Sequence, residues 1–186
     1  MNKIIFIIIL STACAIHLLA FTSVNTEQTQ DSISSVEFCN AGIYFFDKSK
    51  YAEADSCFKK AIALDSNNYW AKLYQIQTND EKTDYNFVKQ ALLDYSDLIQ
   101  SLLNVGKRTK SQDSILGIAY SGKASKLFLN DEKEKSLVNW DSSIIFFPDY
   151  KYNYDQRASL KRQLGDIQGA ISDISALINM DTTRRF

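Results

Sequence analysis

The sequence has 186 residues, of which 45% are hydrophobic and 23% charged, a composition typical of one folded domain with a short additional segment. One proline and six glycines are too few for the many tight turns of an all-β domain, so an all-helical fold is favoured. The formal net charge is −1 with no strong cluster of cations, which argues against nucleic-acid binding, because displacing the counterions of a nucleic acid needs several cations together.

The N-terminus combines one early cation, Lys3, with an apolar run from Ile4 to Phe21. This layout is typical of an export signal, and a run of 18 residues is also just long enough to span a bilayer as a helix. Residues 1–24 are therefore predicted to be a signal peptide or a membrane anchor.

Three fates of this segment stay open: cleavage before Ser23, retention as an anchor, and lipidation at Cys14. Each one predicts an exported domain, periplasmic or held on the outer face of the cytoplasmic membrane, with membrane contact only through residues 4–21. The polar residues 25–34 are predicted to form a tether.

Beyond the tether, small and large residues recur in a fixed order, which predicts a helical repeat. Two small residues lie 12 positions apart in three windows, residues 35–68, 117–150 and 151–184: Gly42 and Ala54, Ala124 and Ser136, Ala158 and Ala170. Such residues let two antiparallel helices approach closely, while large residues such as Phe58 and Trp140 fill the space beside them. The alternative is an irregular helical bundle whose periodicity is accidental.

This pattern resembles the tetratricopeptide repeat, a helical hairpin of 34 residues. The resemblance implies an all-α domain over residues 35–186, built from stacked hairpins that twist into a right-handed superhelix. Residues 69–116 fit a further, divergent hairpin with an insertion, with Trp70 and Tyr74 in its first arm and residues 85–103 as a long second arm. One departure is Lys161, which stands where a large apolar residue is usual, and only the third window keeps the terminal proline, Pro148.

Catalysis is not predicted. The single histidine, His17, lies in the N-terminal apolar run, so the predicted domain has no imidazole for a catalytic triad or a typical zinc site. The glycines form no phosphate-binding fingerprint, and the acidic run around Glu132 fits a solvated turn. No cofactor and no metal are predicted. Cys39 and Cys57 are expected to be two small thiols, with a disulfide as the alternative in an oxidising compartment.

The resemblance implies a concave groove lined by the first helix of each hairpin, a surface on which such proteins bind an extended segment or a helix of another protein. The groove-facing residues implied in the three windows are Val36, Cys39, Asn40, Ile43, Phe46 and Asp47; Ile118, Ser121, Gly122, Ser125, Phe128 and Leu129; and Tyr152, Asp155, Gln156, Ser159, Arg162 and Gln163. Cys39 and Ile43 occupy places where chaperone-binding relatives carry the lysine and asparagine of a carboxylate clamp, so a clamp of that kind is not expected.

The sequence thus predicts a non-catalytic adaptor or scaffold for a protein partner. The alternatives are a small structural subunit of a membrane-bound machine and, from another class, a hydrolytic enzyme on a helical scaffold. The last hairpin should also leave an apolar strip open at Ile171, Ile174, Leu177 and Ile178, covered by a second copy or by the partner.

Overall fold

A computed structural model describes residues 33–80 and 85–183. The predicted signal or anchor, residues 1–24, and the tether up to residue 32 lie outside the described residues, whereas residues 33 and 34, also assigned to the tether, belong to the first helix. No helix in the described ranges combines the length and the hydropathy needed to cross a membrane.

The described residues form eight α-helices and no strand, which confirms the all-helical prediction. They are α1 (residues 33–47), α2 (Tyr51–Leu64), α3 (Tyr69–Asp80), α4 (Tyr85–Leu103), α5 (Lys110–Leu129), α6 (Lys133–Phe146), α7 (Lys151–Gln163) and α8 (Ile167–Thr183). Consecutive helices pair into four hairpins, α1 with α2, α3 with α4, α5 with α6 and α7 with α8. Helix α5 begins at Lys110, before the window 117–150, because Thr109 caps it by accepting a hydrogen bond from the Gln112 backbone.

The small residues at the predicted crossings are all buried, where each hairpin brings its two arms together. Gly42 shows why they must be small: a Cβ added there would lie 2.4 Å from a ring carbon of Phe58, which no real contact allows. Phe58 is itself fully buried, so it cannot move aside without opening the core.

Three of the hairpin turns share one backbone conformation. Ser49, Asp131 and Gly165, the fifteenth residues of their windows, have φ of 56°, 58° and 84°. The next residue in each turn donates a 2.9 Å backbone hydrogen bond to a carbonyl of the preceding helix: Lys50 to Phe45, Glu132 to Leu127 and Asp166 to Lys161. This left-handed cap ends one helix and turns the chain directly into the next.

The last two hairpins are joined by a buried ionic cluster around Asp173 of α8, whose side chain is 4% exposed. Arg157 of α7 binds both Asp173 oxygens and also reaches Asp141 of α6, while the Lys161 ammonium lies 3.0 Å from Asp173. Lys161 therefore departs from the repeat pattern because it pairs with a carboxylate across the hairpin instead of packing on an apolar side chain.

The left-handed turn predicts that alanine has different effects on stability at two glycines that both have open space around them. Gly165→Ala should lower the free energy of unfolding by about 1 kcal/mol, because an L side chain is strained at positive φ. Gly106→Ala is the matched control: an added Cβ meets nothing within 4 Å at either glycine, but Gly106 is not in the left-handed region. It should be neutral or slightly stabilising. Urea unfolding measures both, and equal effects would contradict the turn geometry.

The ionic cluster predicts that Asp173→Ala lowers the free energy of unfolding by about 3 kcal/mol, because it leaves Arg157 and Lys161 without their buried partner. The control is Lys59→Ala, which breaks an exposed ion pair with Asp55 and should cost less than about 1 kcal/mol. Thermal unfolding monitored by circular dichroism checks both, and similar small shifts for the two variants would count against the cluster.

Candidate binding groove

Two neighbouring pockets lie along the first arms of the hairpins. The first, which we call the apolar pocket, has a volume of about 300 Å³. It is lined by α1, α3 and the turn before α3, through Val36, Cys39, Asn40, Ile43, Asn68, Trp70 and Tyr74. Asn68 shapes its rim, since its amide donates to the Ser35 hydroxyl (3.0 Å) and its side-chain oxygen accepts from the Ala71 backbone (3.0 Å).

The second, which we call the central pocket, has a volume of about 340 Å³ and draws on five helices, α1, α3, α4, α5 and α7, and on Tyr150 in the turn before α7. Its lining residues are Phe46, Gln77, Asp80, Tyr95, Ile118, Ser121, Gly122, Ser125, Lys126, Tyr150 and Tyr152. The rings of Phe46 and Tyr74 meet edge to face at 5.6 Å, and each lines one of the pockets. We use the word groove for the two pockets together with this aromatic pair.

A polar network lies in the central pocket. The Tyr95 hydroxyl donates a 2.9 Å hydrogen bond to Asp80, and the Lys126 ammonium lies 3.3 Å from the other oxygen of the same carboxylate. Burial, reinforced by the Asp80 charge, holds the pKa of Tyr95 well above its usual value, so its hydroxyl remains a donor. Lys126 is the one cation among the residues that line the two pockets, and it is already paired.

Gly122 makes room for this network. A Cβ at Gly122 would lie 2.4 Å from the Tyr95 ring, so a larger residue would push the ring away from Asp80. The sequence pattern placed Gly122 in the groove but did not reveal Tyr95, Asp80, Gln77 or Lys126. The first three come from the divergent second hairpin, where the repeat register is weakest, and Lys126 lies on α5 outside the positions that the family groove uses.

The predicted groove residues divide into three groups. Ten of them line the two pockets: Val36, Cys39, Asn40, Ile43, Phe46, Ile118, Ser121, Gly122, Ser125 and Tyr152. Among these, Cys39 and Ser121 are buried and form the pocket floors. Phe128 packs on Trp140 (ring centroids 6.2 Å apart), and Asp47 and Leu129 are exposed. The remaining α7 residues line neither pocket and are exposed or half-buried: Asp155, Gln156, Ser159, Arg162 and Gln163.

Both described cysteines are free thiols. Burial raises the pKa of the Cys39 thiol, so it remains neutral in the floor of the apolar pocket. In the described ranges no three or more histidine, cysteine, aspartate or glutamate side chains group so that they could hold a metal ion.

No protein-family model matches the sequence, and no curated protein matches it at a significant level. Several solved structures are similar in fold. A crystal structure of MamA protein superposes with a TM-score of 0.57 and 17% identity, over 80% of this chain and 74% of that one. A tetratricopeptide repeat protein from Parabacteroides merdae gives 0.57 and 18%, over 80% and 54%.

A third similar structure is the first TPR of Spaghetti (RPAP3) bound to the HSP90 peptide SRMEEVD, with a TM-score of 0.57 and 16% identity, over 72% of this chain and 95% of that one. Identities this low show the fold alone. The chain therefore has a tetratricopeptide-repeat-like fold of stacked helical hairpins.

Proposed function

We propose that the chain is a non-catalytic protein-binding scaffold whose groove holds a segment of a partner protein. The observation that carries this proposal is the pair of neighbouring pockets, which share one aromatic contact and together run along α1, α3 and α5. Grooves of this kind on helical repeats suit an extended peptide or a helix, because successive side chains of the ligand enter successive pockets.

The lining of the apolar pocket selects an apolar anchor side chain. Val36 is 52% exposed at its rim, and Ile43 and Trp70 are partly buried in its walls. An aliphatic or aromatic side chain of the partner would remove this surface from water, which is the main source of affinity in such pockets. Asn40, exposed at the same site, supplies hydrogen-bonding groups for the partner backbone.

The charges of the groove argue against an acidic ligand. The HSP90 peptide in the RPAP3 complex, SRMEEVD, carries three acidic residues. Here the one cation lining the pockets, Lys126, is paired with Asp80, and a ligand carboxylate near it would also face that aspartate. The partner segment is therefore apolar or uncharged where it enters the groove.

The proposed location is the outer side of the cytoplasmic membrane, in the periplasm or anchored to the membrane. Its support is the sequence alone, namely the apolar run from Ile4 to Phe21 behind Lys3 and the polar stretch that follows. In this arrangement the N-terminal segment brings the domain to the envelope, and the groove remains free for the partner.

Photo-crosslinking of the full chain in its native cell tests the binding groove. A photoreactive residue at Tyr152, in the central pocket, should give a discrete adduct with one partner, whereas the same residue at Ile145, exposed on α6, should not. Val36→Arg should reduce the Tyr152 adduct by about tenfold or more, because it places an unpaired cation in the apolar pocket.

The matched control is Val138→Arg, since Val138 is 63% exposed on α6, away from both pockets. It should leave the Tyr152 adduct unchanged. Circular dichroism should show that both arginine variants remain helical. Equal adducts from Tyr152 and Ile145, or an adduct insensitive to Val36→Arg, would defeat the proposal.

A further inference from the structure

Helix α8 exposes a continuous apolar face. Ile167, Ile171, Ile174 and Ile178 are 49–58% exposed, although isoleucine is among the residues most often buried. Their spacings of four, three and four residues place them on one side of the helix, in the alternation that lines the seam of a coiled coil. We call these four residues the isoleucine face. Leu177, predicted to belong to the open strip, is instead half-buried.

The other hairpins show what normally covers this position. Phe58, Trp140 and Ile174 are the twenty-fourth residues of their windows, yet Phe58 is 0% and Trp140 1% exposed. Helix α3 covers Phe58 by stacking Tyr74 on it at 5.7 Å, and Leu160 of α7 packs into the cluster that holds Trp140. Within the described residues no helix follows α8. The isoleucine face is therefore a surface for another helix.

Helix α1 of a second copy is a poor cover, so the copies do not stack head to tail. Helices α3, α5 and α7 each cover the hairpin before them, and each buries the third residue of its own window. These residues are Ala71, Ala119 and Asn153, and all three are fully buried. The equivalent residue of α1 is Glu37, which is exposed. Placing α1 on the isoleucine face would bury this carboxylate among isoleucines, with no cation on α8 to pair with it.

The isoleucine face suits a copy of itself. Between residues 167 and 180 the only charged residue is Asp173, which is buried and bound by Arg157 and Lys161. The exposed positions beside the isoleucines are uncharged: Gln168, Ser172, Ser175 and Asn179. Asp181 continues the same side of α8 three residues beyond Ile178, and its carboxylate is paired with Lys151. Two such faces therefore meet with little like-charge repulsion, and a self-complementary patch is what a two-fold interface requires.

We propose that the isoleucine face binds the same face of a second copy, which forms a two-fold symmetric dimer through α8. The face spans about 18 Å of helix, which is short for a stable interface, so we expect a dissociation constant on the order of micromolar. The groove residues lie on other helices, so this inference stands apart from the proposed partner binding.

Sedimentation velocity of the full chain at about 1 to 200 µM, a range that brackets the expected dissociation constant, tests the dimer. The wild type should shift from monomer to dimer with concentration. Ile171→Glu combined with Ile174→Glu should weaken the dimer by about 100-fold or more, because buried carboxylates would face each other whether the two helices run parallel or antiparallel. Both side chains are half exposed in the monomer, so circular dichroism should show an unchanged fold.

The control is Val138→Glu combined with Ile145→Glu, which removes two still more exposed apolar side chains from α6 and should leave the dimer unchanged. The milder pair Ile167→Gln and Ile178→Gln should weaken the dimer by about tenfold. This pair introduces no charge, so it tests the interface even if the glutamates disturb folding. A wild-type chain that stays monomeric at the highest concentration overturns the proposal. A dimer that all α8 variants retain also overturns it, since the apolar run at residues 4–21 or another surface would then hold the copies together.

Discussion

The close crossing of two helices at a residue without a large side chain is the constraint on which this structure depends. At Gly42 the Phe58 ring occupies the volume that a Cβ would need, and at Gly122 the Tyr95 ring does the same. The first contact holds the arms of one hairpin together, and the second holds neighbouring hairpins together. Because the rings fill these spaces to native density, the crossings also set how far apart the first arms lie, and hence the width of the groove.

Equivalent crossings are closed by different chemistry. In the first hairpin the Ser35 hydroxyl, on the first arm, donates to the Ala61 carbonyl at 2.8 Å. In the third the Ser143 hydroxyl, on the second arm, donates to the Gly117 carbonyl. Both hydrogen bonds join the first and the twenty-seventh residues of a window. The donor is the first residue in one hairpin and the twenty-seventh in the other, so the donor has changed arms while the contact is kept. Likewise Lys161 and Asp173 replace an apolar contact with an ion pair, which explains why the repeat is weak in sequence but regular in space.

The two surfaces proposed for binding differ in how the fold makes them. The groove is composite: its central pocket combines side chains from α1, α3, α4 and α5 with Tyr150, which precedes α7, and Tyr152, in the first turn of α7. The isoleucine face belongs to one helix, and it is open because, within the described residues, nothing covers at α8 the position that the following hairpin covers elsewhere. A composite groove discriminates between partners by the placement of several groups, whereas a single apolar face offers area with little selectivity, which suits a copy of the same chain.

The sequence by itself determined the helical class and the spacing of the small residues, because these are local requirements repeated at a fixed period. The left-handed conformation of Ser49 and Asp131 came from the structure, since neither residue is a glycine. It also identified most of the apolar strip on α8. Only the tertiary structure decided the composition of the central pocket, where Asp80, Tyr95 and Lys126 meet from three helices. It likewise decided that Phe128 packs inward and that Lys161 pairs with Asp173. Such contacts depend on distances between helices that no local pattern encodes.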